Sequence, residues 1–425
     1  MKTLATIAAE LEGYDPQALR AGSVSEFLSR LVEPVTTRET TAIFQALGRV
    51  LADDVISPIC VPPHDNSAMD GYAFDGGHLS TPAEDQPALT LRVVGTALAG
   101  SAWQGTVAAG ECLKIMTGAV LPPGLDTVVP QEFVTERGAS IIVPAGLLRA
   151  GDNRRKRGED LMQGQPALHI GELLTPAALG LLASLGIAQV PVWRKLRVAY
   201  FSTGDEILSL GEAPREGAVF DSNRYTVFGL LSRLGCEVID MGVVRDDPTL
   251  LEAAFTRASL EADAIITSGG VSVGEADYTK LMMKKLGDVA FWKIAMRPGR
   301  PMAVGRIGRS VLFGLPGNPV AVMVTFLAFV RPALLKMMGC TRQAPPMLKA
   351  RSLKPLRKKP GRTEYQRGTV SSASDGSLWV KADDNQGSGV LSSMVRANGL
   401  IVLHHQQSDI AAGDELDVMM FDGVV

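Results

Sequence analysis

Between about Leu196 and Met338 short apolar runs alternate with helical patterns about ten to thirteen residues long. Leu196–Phe201, Glu237–Met241, Ala262–Thr267 and Val311–Phe313 read as strands. Helices are expected over Ser222–Leu234, from Asp247 to about Leu260, from about Glu275 to Leu286, and from Pro319 to about Met338. Asp221 precedes the first helix and Gly235 stops it, while Asp247-Pro248 supplies a cap followed by a first-turn proline. Strands that alternate with helices in this way form βαβ units and an open, mainly parallel sheet. That constraint carries a second one, because such sheets place their ligands at the carboxyl ends of the strands.

The residues expected at that edge are chemically suggestive. Ala262–Thr267 runs into Ser268-Gly269-Gly270-Val271-Ser272-Val273-Gly274. Glycines free the backbone to present N–H groups, and the following helix adds its positive end, which together suit an anion such as phosphate. The spacing is neither a dinucleotide fingerprint nor a P-loop, and a ligand-free tight turn reads equally well. Carboxylates follow each strand: Asp205 and Glu206, then Asp246 and Asp247, then Glu275 and Asp277. Each aspartate alone reads as a helix cap. Together beside a phosphate they repel it unless a cation intervenes, and magnesium takes one or two carboxylates plus phosphate oxygens. Lys293 and the stiff loop Arg297-Pro298-Gly299-Arg300-Pro301 bring cations, and arginine forks suit tetrahedral oxyanions. Gly314–Pro319 is a second constrained turn, with Asn318 at a helix cap.

The flanking segments differ in texture. Residues 1 to about 62 read as helical, over Ser25–Leu31 and Thr41–Leu51, until Pro58, Pro62 and Pro63. From Asp65 to about Ile142 short strands such as Leu89–Val94, Cys112–Met116 and Ser140–Val143 alternate with turns. The charge run Asn153–Asp160 reads as a solvated face. Thr175-Pro176 opens an Ala/Leu-rich helix to Leu185. Beyond Thr341, Pro345-Pro346 and Lys354–Lys359 read as a linker, and the rest as a small β-barrel or sandwich. The expected fold is therefore multi-domain α/β plus β in four parts. They are an elongated linker part of 1–62 plus 161–193, a β-rich part of 63–160, the α/β part of 194–341, and a C-terminal barrel-like β part of 342–425.

Composition narrows the function class. With 46% apolar residues the 425-residue chain has ample material for cores, which excludes disorder. Lys and Arg total 42 against 45 for Asp and Glu, so a nucleic-acid partner is not expected. Cys60, Cys112, Cys236 and Cys340 are far apart with no CxxC pair, and the five histidines lack HExxH spacing. These features argue against a zinc ribbon, a redox dithiol or a histidine-based hydrolase, and fit reduced thiols in the cytoplasm. MKTLATIAAELEGYDP lacks the apolar core of a signal peptide. The longest apolar run, Pro319–Val330, is shorter than the ~18 to 20 residues of a membrane span, so no membrane partner is expected.

The motifs also carry a resemblance. DNSAMDGYA from Asp65, MTGAVLPPGLDTVV from Met116, RRKRGED from Arg154, STGDE from Ser202, SGGVSVGEADYTK from Ser268, RPGRP from Arg297 and GLPGNPV from Gly314 follow one another in order. Together, over about 60 to 370, they resemble the MoeA-type molybdopterin molybdenumtransferases, the family that includes the gephyrin E domain. The resemblance implies a cytoplasmic homodimer that takes adenylylated molybdopterin and molybdate, releases AMP in a magnesium-dependent step and inserts the metal. It also implies the company of other molybdenum cofactor biosynthesis proteins. Carried onto this chain, Ser268, Gly269, Gly270, Ser272 and Gly274, with Lys293, Pro316 and Pro319, would bind substrate. Glu206, Asp246 and Asp277 would hold magnesium. Arg297 and Arg300, where the family often has lysine, would bind molybdate, with Arg367 and Ser388. Asp65, Thr117 and Asp160 match functional positions of the second part, and lie too far along the chain to belong to the α/β part, so a cross-subunit contribution is implied. The alternatives are a molybdopterin adenylyltransferase, whose similar α/β domain stands alone, and a gephyrin-like scaffold.

Overall fold

The computed structural model describes residues 3–79, 87–271, 278–342 and 344–421. The chain forms two compact units: residues 1–52, 171–175 and 191–425 make one, and residues 53–170 and 176–190 the other.

The larger unit is built on a six-stranded sheet. In chain order its elements are β1 (Arg197–Thr203), α1 (Ser222–Arg233), β2 (Glu237–Val244), α2 (Pro248–Glu261), β3 (Ala264–Ser268), α3 (Tyr278–Leu286), β4 (Gly287–Lys293), β5 (Pro301–Ile307) and β6 (Ser310–Leu315). The spatial order is β2-β1-β3-β6-β5-β4. The first four strands are parallel, as the alternation predicts. β5 pairs antiparallel with β6 and β4 antiparallel with β5, an addition the local pattern did not reveal. The chain leaves β1 for β2 on one side and returns to β3 on the other, so the topological switch lies between β1 and β3. β1, β3 and β6 are almost wholly buried, which explains their unbroken apolar runs.

A helix of 19 residues, Pro319–Met337, follows β6 with a π-helical stretch at Phe326–Val330. Its most apolar window has a mean hydropathy of 1.8, long and apolar enough by composition to cross a membrane, against the sequence expectation. In the structure 78% of that window is buried inside the protein, so packing accounts for its apolarity. Val320, Val324, Phe326, Phe329 and Leu334 share one core with Val198, Ile266 and Phe313 of the sheet.

The sequence reading groups the N-terminal helices with 161–193. The structure packs Leu4–Ala9 and Ala21–Leu31 against β4 instead. Phe27 meets Trp292 edge-on at 4.9 Å, and Trp292 Nε1–H donates to the Tyr14 hydroxyl at 2.9 Å. The Lys293 amide donates to Pro16 O and its carbonyl accepts from Leu19 N–H, so the chain start covers the open edge of the sheet. The helix expected over Thr41–Leu51 is absent. Arg38–Ala42 is a strand, Ile43–Gln45 a single 3-10 turn, and Gly48 has φ +72°. Consecutive threonines favour extended backbone, and a left-handed glycine ends a helix.

The C-terminal strands Met347–Ser352, Thr363–Ser372, Leu378–Ala382, Gly399–Leu403 and Glu415–Met420 close into a five-stranded barrel, because Thr363–Ser372 pairs with both Leu378–Ala382 and Gly399–Leu403. Closure leaves no open edge. Val380, Ile401, Leu416 and Val418 fill its interior.

The smaller unit carries its own six-stranded sheet around Gly71–Phe74, Leu89–Ala97 and Glu111–Ile115, with Tyr72, Phe74 and Val129 on one face and Leu113, Ile115 and Val128 on the other.

Candidate functional site

The carboxyl ends of β1, β3 and β6 open into a cavity of about 930 Å³. Its wall includes Thr203 and Glu206 after β1, Ser268, Gly269 and Gly270 after β3, and Pro316, Gly317, Asn318 and Pro319 after β6. Arg297 and Arg300 line it, as do Ser388 and Gln386 from the barrel. The two arginines, the glycine turn, Glu206, both prolines and Ser388 are thus brought together. Ser272, Gly274 and Asp277 lie outside the described residues.

The glycine turn cannot tolerate side chains. Gly269 has φ +91°, and a Cβ there would sit 2.5 Å from Thr203 O. Gly270 has φ +62°, and its Cβ would sit 2.4 Å from Thr279 Cβ. Left-handed backbone alone costs an L-residue roughly 1–2 kcal/mol, and neither contact can be relieved by a flexible side-chain end. Gly270→Ala is therefore expected to lower stability by about 2 kcal/mol or more and to abolish ligand binding in the cavity. A thermal shift below about 1 °C with unchanged nucleotide affinity would show that the turn is not needed in this form.

Below the turn lies a buried polar network. Ser268 Oγ is 2.7 Å from the Tyr200 hydroxyl, which is 2.9 Å from Ser202 Oγ. Ser202 Oγ–H donates to Asp221 Oδ1 at 2.9 Å. Desolvation pushes the Tyr200 hydroxyl well above the ordinary phenol range, so it stays protonated. Asp221 also caps α1 by accepting from Arg224 N–H. In the sequence Asp221 reads only as a helix cap, and Asn223 as an ordinary helix residue. Both line the cavity, and Asp221 Oδ2, Asn223 Oδ1 and Thr203 Oγ1 are buried without a hydrogen-bond partner among the described residues. An unpaired buried acceptor costs about 1–3 kcal/mol, so this floor is polar and incompletely paired. An acidic cap followed by Ser-Asn, at the mouth of a strand-to-helix connection, is the signal that pointed there.

Arg297 and Arg300 make no side-chain hydrogen bond or ion pair among the described residues. Their loop is nevertheless held. Met296–Arg297 pairs with Thr363–Glu364 of the barrel, the Arg297–Pro298 peptide is cis, and Ile294 N–H donates to Arg300 O at 2.7 Å. Asn318 does not cap its helix through its side chain; its Nδ2 donates to Ser388 Oγ at 3.1 Å, and Val320 N–H donates to Ser388 O.

Four predicted residues sit elsewhere in this unit. Asp246 is half-buried and outside the cavity lining, though its amide donates to Asp205 Oδ1 at 3.3 Å and draws the two loops together. Asp247 is occupied as a cap by the amides of Thr249 and Leu250. Lys293 is exposed, with its backbone tied to the N-terminal segment, and does not line the cavity. Arg367 differs most from expectation. It is 1% exposed, and its guanidinium donates to Ser393 Oγ and to the carbonyls of Asn385 and Gly387, each at 3.0 Å. Gln386 in turn brackets the Arg367 backbone. Arg367 therefore shapes the 385–389 loop and does not reach the cavity.

Asp65, Thr117 and Asp160 belong to the smaller unit, where their segments meet. Thr117 gives both its amide and its hydroxyl hydrogen to Asp70 Oδ1 at 2.7 Å, which pulls that carboxyl below its ordinary range. Asp65 Oδ1 accepts from Arg157 N–H at 2.7 Å, with Arg154 at 3.7 Å, and Asp160 N–H donates to Val61 O.

Known proteins show the same organisation. Residues 22–186 match the MoeA N-terminal region, domains I and II. Residues 199–336 match a probable molybdopterin binding domain, and 349–421 the MoeA C-terminal region, domain IV. A molybdopterin molybdenumtransferase of Haemophilus influenzae is 42% identical over 94% of this chain and 97% of its own length. One from Nostoc is 34% identical over 93% and 92%. The crystal structure of the molybdopterin biosynthesis MoeA protein of Pyrococcus horikoshii superposes with a TM-score of 0.79 at 26% identity, covering 95% of this chain and all of that one. With a parallel sheet opening on a glycine turn, a closed C-terminal barrel and this likeness along nearly its whole length, the chain belongs to the molybdopterin molybdenumtransferase family.

Proposed function

We propose that this enzyme inserts molybdenum from molybdate into adenylylated molybdopterin with release of AMP, in the cytoplasm and as a homodimer. The observation that carries the reading is the shared cavity, where a backbone-lined turn and two arginines without a side-chain partner among the described residues offer separate places for two anions. Ser268, Gly269 and Gly270, continued by Ser272 and Gly274, bind the phosphate-bearing substrate, with Pro316 and Pro319 shaping the opposite wall. Arg297 and Arg300 hold molybdate, and Ser388 supports them. Arg367 acts on molybdate indirectly, through the 385–389 loop. Lys293 contributes long-range charge.

Glu206, Asp246 and Asp277 organise magnesium in this proposal. Among the described residues no three His, Cys, Asp or Glu side chains form a metal cluster. Glu206 on the cavity wall and the neighbouring Asp205–Asp246 contact provide oxygen donors only. That set fits a hard cation which completes its shell with phosphate oxygens and water, and does not fit a softer metal. When bound, magnesium neutralises charge on the phosphates; the protein's own residues bind, orient and exclude water.

Asp65, Thr117 and Asp160 keep a proposed functional role within the homodimer. All four cysteines are free and buried, which suits the reducing cytoplasm. The four-part division of the chain is also a proposal, and the packing of the first two helices on β4 favours counting the first 35 or so residues with the α/β part.

The test is conversion of adenylylated molybdopterin by pure protein with molybdate and magnesium. AMP release coupled to metal insertion is expected, and failure of both would defeat the reading. Glu206→Gln is expected to raise the magnesium concentration for half-maximal rate by about tenfold. An unchanged magnesium curve would remove Glu206 from the metal site.

A further inference from the structure

A second cavity, of about 800 Å³, adjoins the first, and Arg297, Arg362 and Gln386 line both. These three residues therefore border both spaces. The outer rim is the stretch Lys354–Pro360, whose basic character reads in the sequence as a linker. It is instead a fixed part of the barrel wall. Leu356 and Ile410 exchange backbone hydrogen bonds of 2.9 Å, and Lys358 N–H donates to Asp409 Oδ1 at 2.6 Å. The buried Lys358 Nζ donates to the carbonyls of Lys359 and Gln407 at 2.7 and 3.2 Å.

With the backbone held, Arg357 and Lys359 are exposed and make no side-chain hydrogen bond or ion pair among the described residues. Three of the groove's four carboxylates, Glu364, Asp383 and Asp409, are engaged in hydrogen bonds, and the fourth, Asp384, is exposed. Glu364 accepts from Arg362 at 2.8 Å, Asp383 pairs with Arg396 at 3.1 Å, and Asp384 lies 4.0 Å from Lys354. Free positive charge therefore runs from Arg357 and Lys359 to Arg297, which is reached from both cavities. With six cations lining it against four carboxylates, the groove carries net positive charge, which favours capture of an anion.

We propose that this groove collects a tetrahedral dianion, molybdate, and delivers it to Arg297, so that molybdate enters through the barrel side and not past the glycine turn. The inference rests on the function proposed above. The phosphate of the pterin substrate has the same oxyanion chemistry, so the test separates the two.

The experiment compares the full-length protein with Arg357→Gln/Lys359→Gln and Arg357→Glu/Lys359→Glu, which alter only exposed side chains. Rates are measured against molybdate and, separately, against adenylylated molybdopterin, at low and high ionic strength. Association of molybdate alone is followed by stopped flow. At low salt the glutamate pair is expected to lower kcat/KM for molybdate about tenfold, with the glutamine pair between it and wild type. The rate at saturating molybdate and the KM for the pterin are expected to stay unchanged. Near 0.5 M salt the difference is expected to shrink below about twofold. An equal fall for both substrates would show that the groove meets the pterin phosphate, and overturns the proposal. So would a fall that salt does not relieve, or an unchanged molybdate on-rate. If wild type lacks the transfer reaction, the proposed function fails, while the stopped-flow comparison still decides whether the groove captures molybdate.

Discussion

Replacing Arg297 and Arg300 together by alanine raises the molybdate concentration for half-maximal rate by about 100-fold or more and leaves AMP binding within about threefold. A hydrogen bond to a charged group contributes about 1.5–3 kcal/mol, and about 1.4 kcal/mol is a factor of ten, so losing one from each arginine amounts to about 3 kcal/mol or more. The loop itself stays in place when the side chains go, because its backbone pairs with Thr363–Glu364 and Gly299 (φ +93°) packs against Thr325 Oγ1. A Cβ at Gly299 would meet that oxygen at 2.6 Å, so the turn is set by backbone and not by the arginines. The glycine turn belongs to another strand end, β3, and shares no hydrogen bond with the loop among the described residues. Titration of AMP and molybdate against wild type and the double variant measures both effects. Equal loss of the two ligands would contradict separate anion positions.

The second large effect falls on Arg367. Arg367→Ala is expected to destabilise the barrel by about 3 kcal/mol or more, since it strands Ser393 Oγ and the carbonyls of Asn385 and Gly387 and leaves a void. Burial already pushes the guanidinium below its ordinary range, with the Asp383 charge opposing this and the Arg297 charge adding to it, so the hydrogen bonds and Asp383 together keep this cation tolerable inside. Arg367→Lys is not expected to rescue, because one ammonium cannot reproduce a planar fork that bridges three acceptors. Hydrogen exchange across 385–393 and the denaturant midpoint are the readouts. A variant of wild-type stability whose molybdate affinity alone has fallen would make Arg367 a direct ligand, as its sequence resemblance implies.

These residues show how far a sequence reading reaches. The glycine turn, Glu206 and the Pro-Gly-Asn-Pro turn were legible because each follows a strand whose apolar run is continuous and local, whereas the Arg-Pro-Gly-Arg-Pro loop was legible only by its own residue types. A parallel sheet brings every such strand end to one edge whatever its details. Lys293 and Arg367 were not legible in the same way. Whether a cation points into a cavity or into the barrel wall depends on partners such as Ser393 and Asn385, which lie 26 and 18 positions away. The helix expected over Thr41–Leu51 was missed for a local reason, because consecutive threonines and the left-handed Gly48 give a strand end and a single 3-10 turn there. Asp221 was legible as a helix cap and illegible as a cavity wall.

By itself, then, the sequence determined the βαβ core, the edge where a ligand would lie, and the residue types waiting there, since hydrophobic period and turn chemistry act over a few neighbouring residues. The tertiary structure alone decided that β4 and β5 extend the sheet through antiparallel pairings, that the N-terminal helices cover its last strand, which strands close the C-terminal barrel, and that Arg297 and Arg300 have no side-chain partner among the described residues beside the glycine turn. Those outcomes depend on contacts between residues tens to hundreds of positions apart, where burial and hydrogen-bond pairing, not local preference, set the energy.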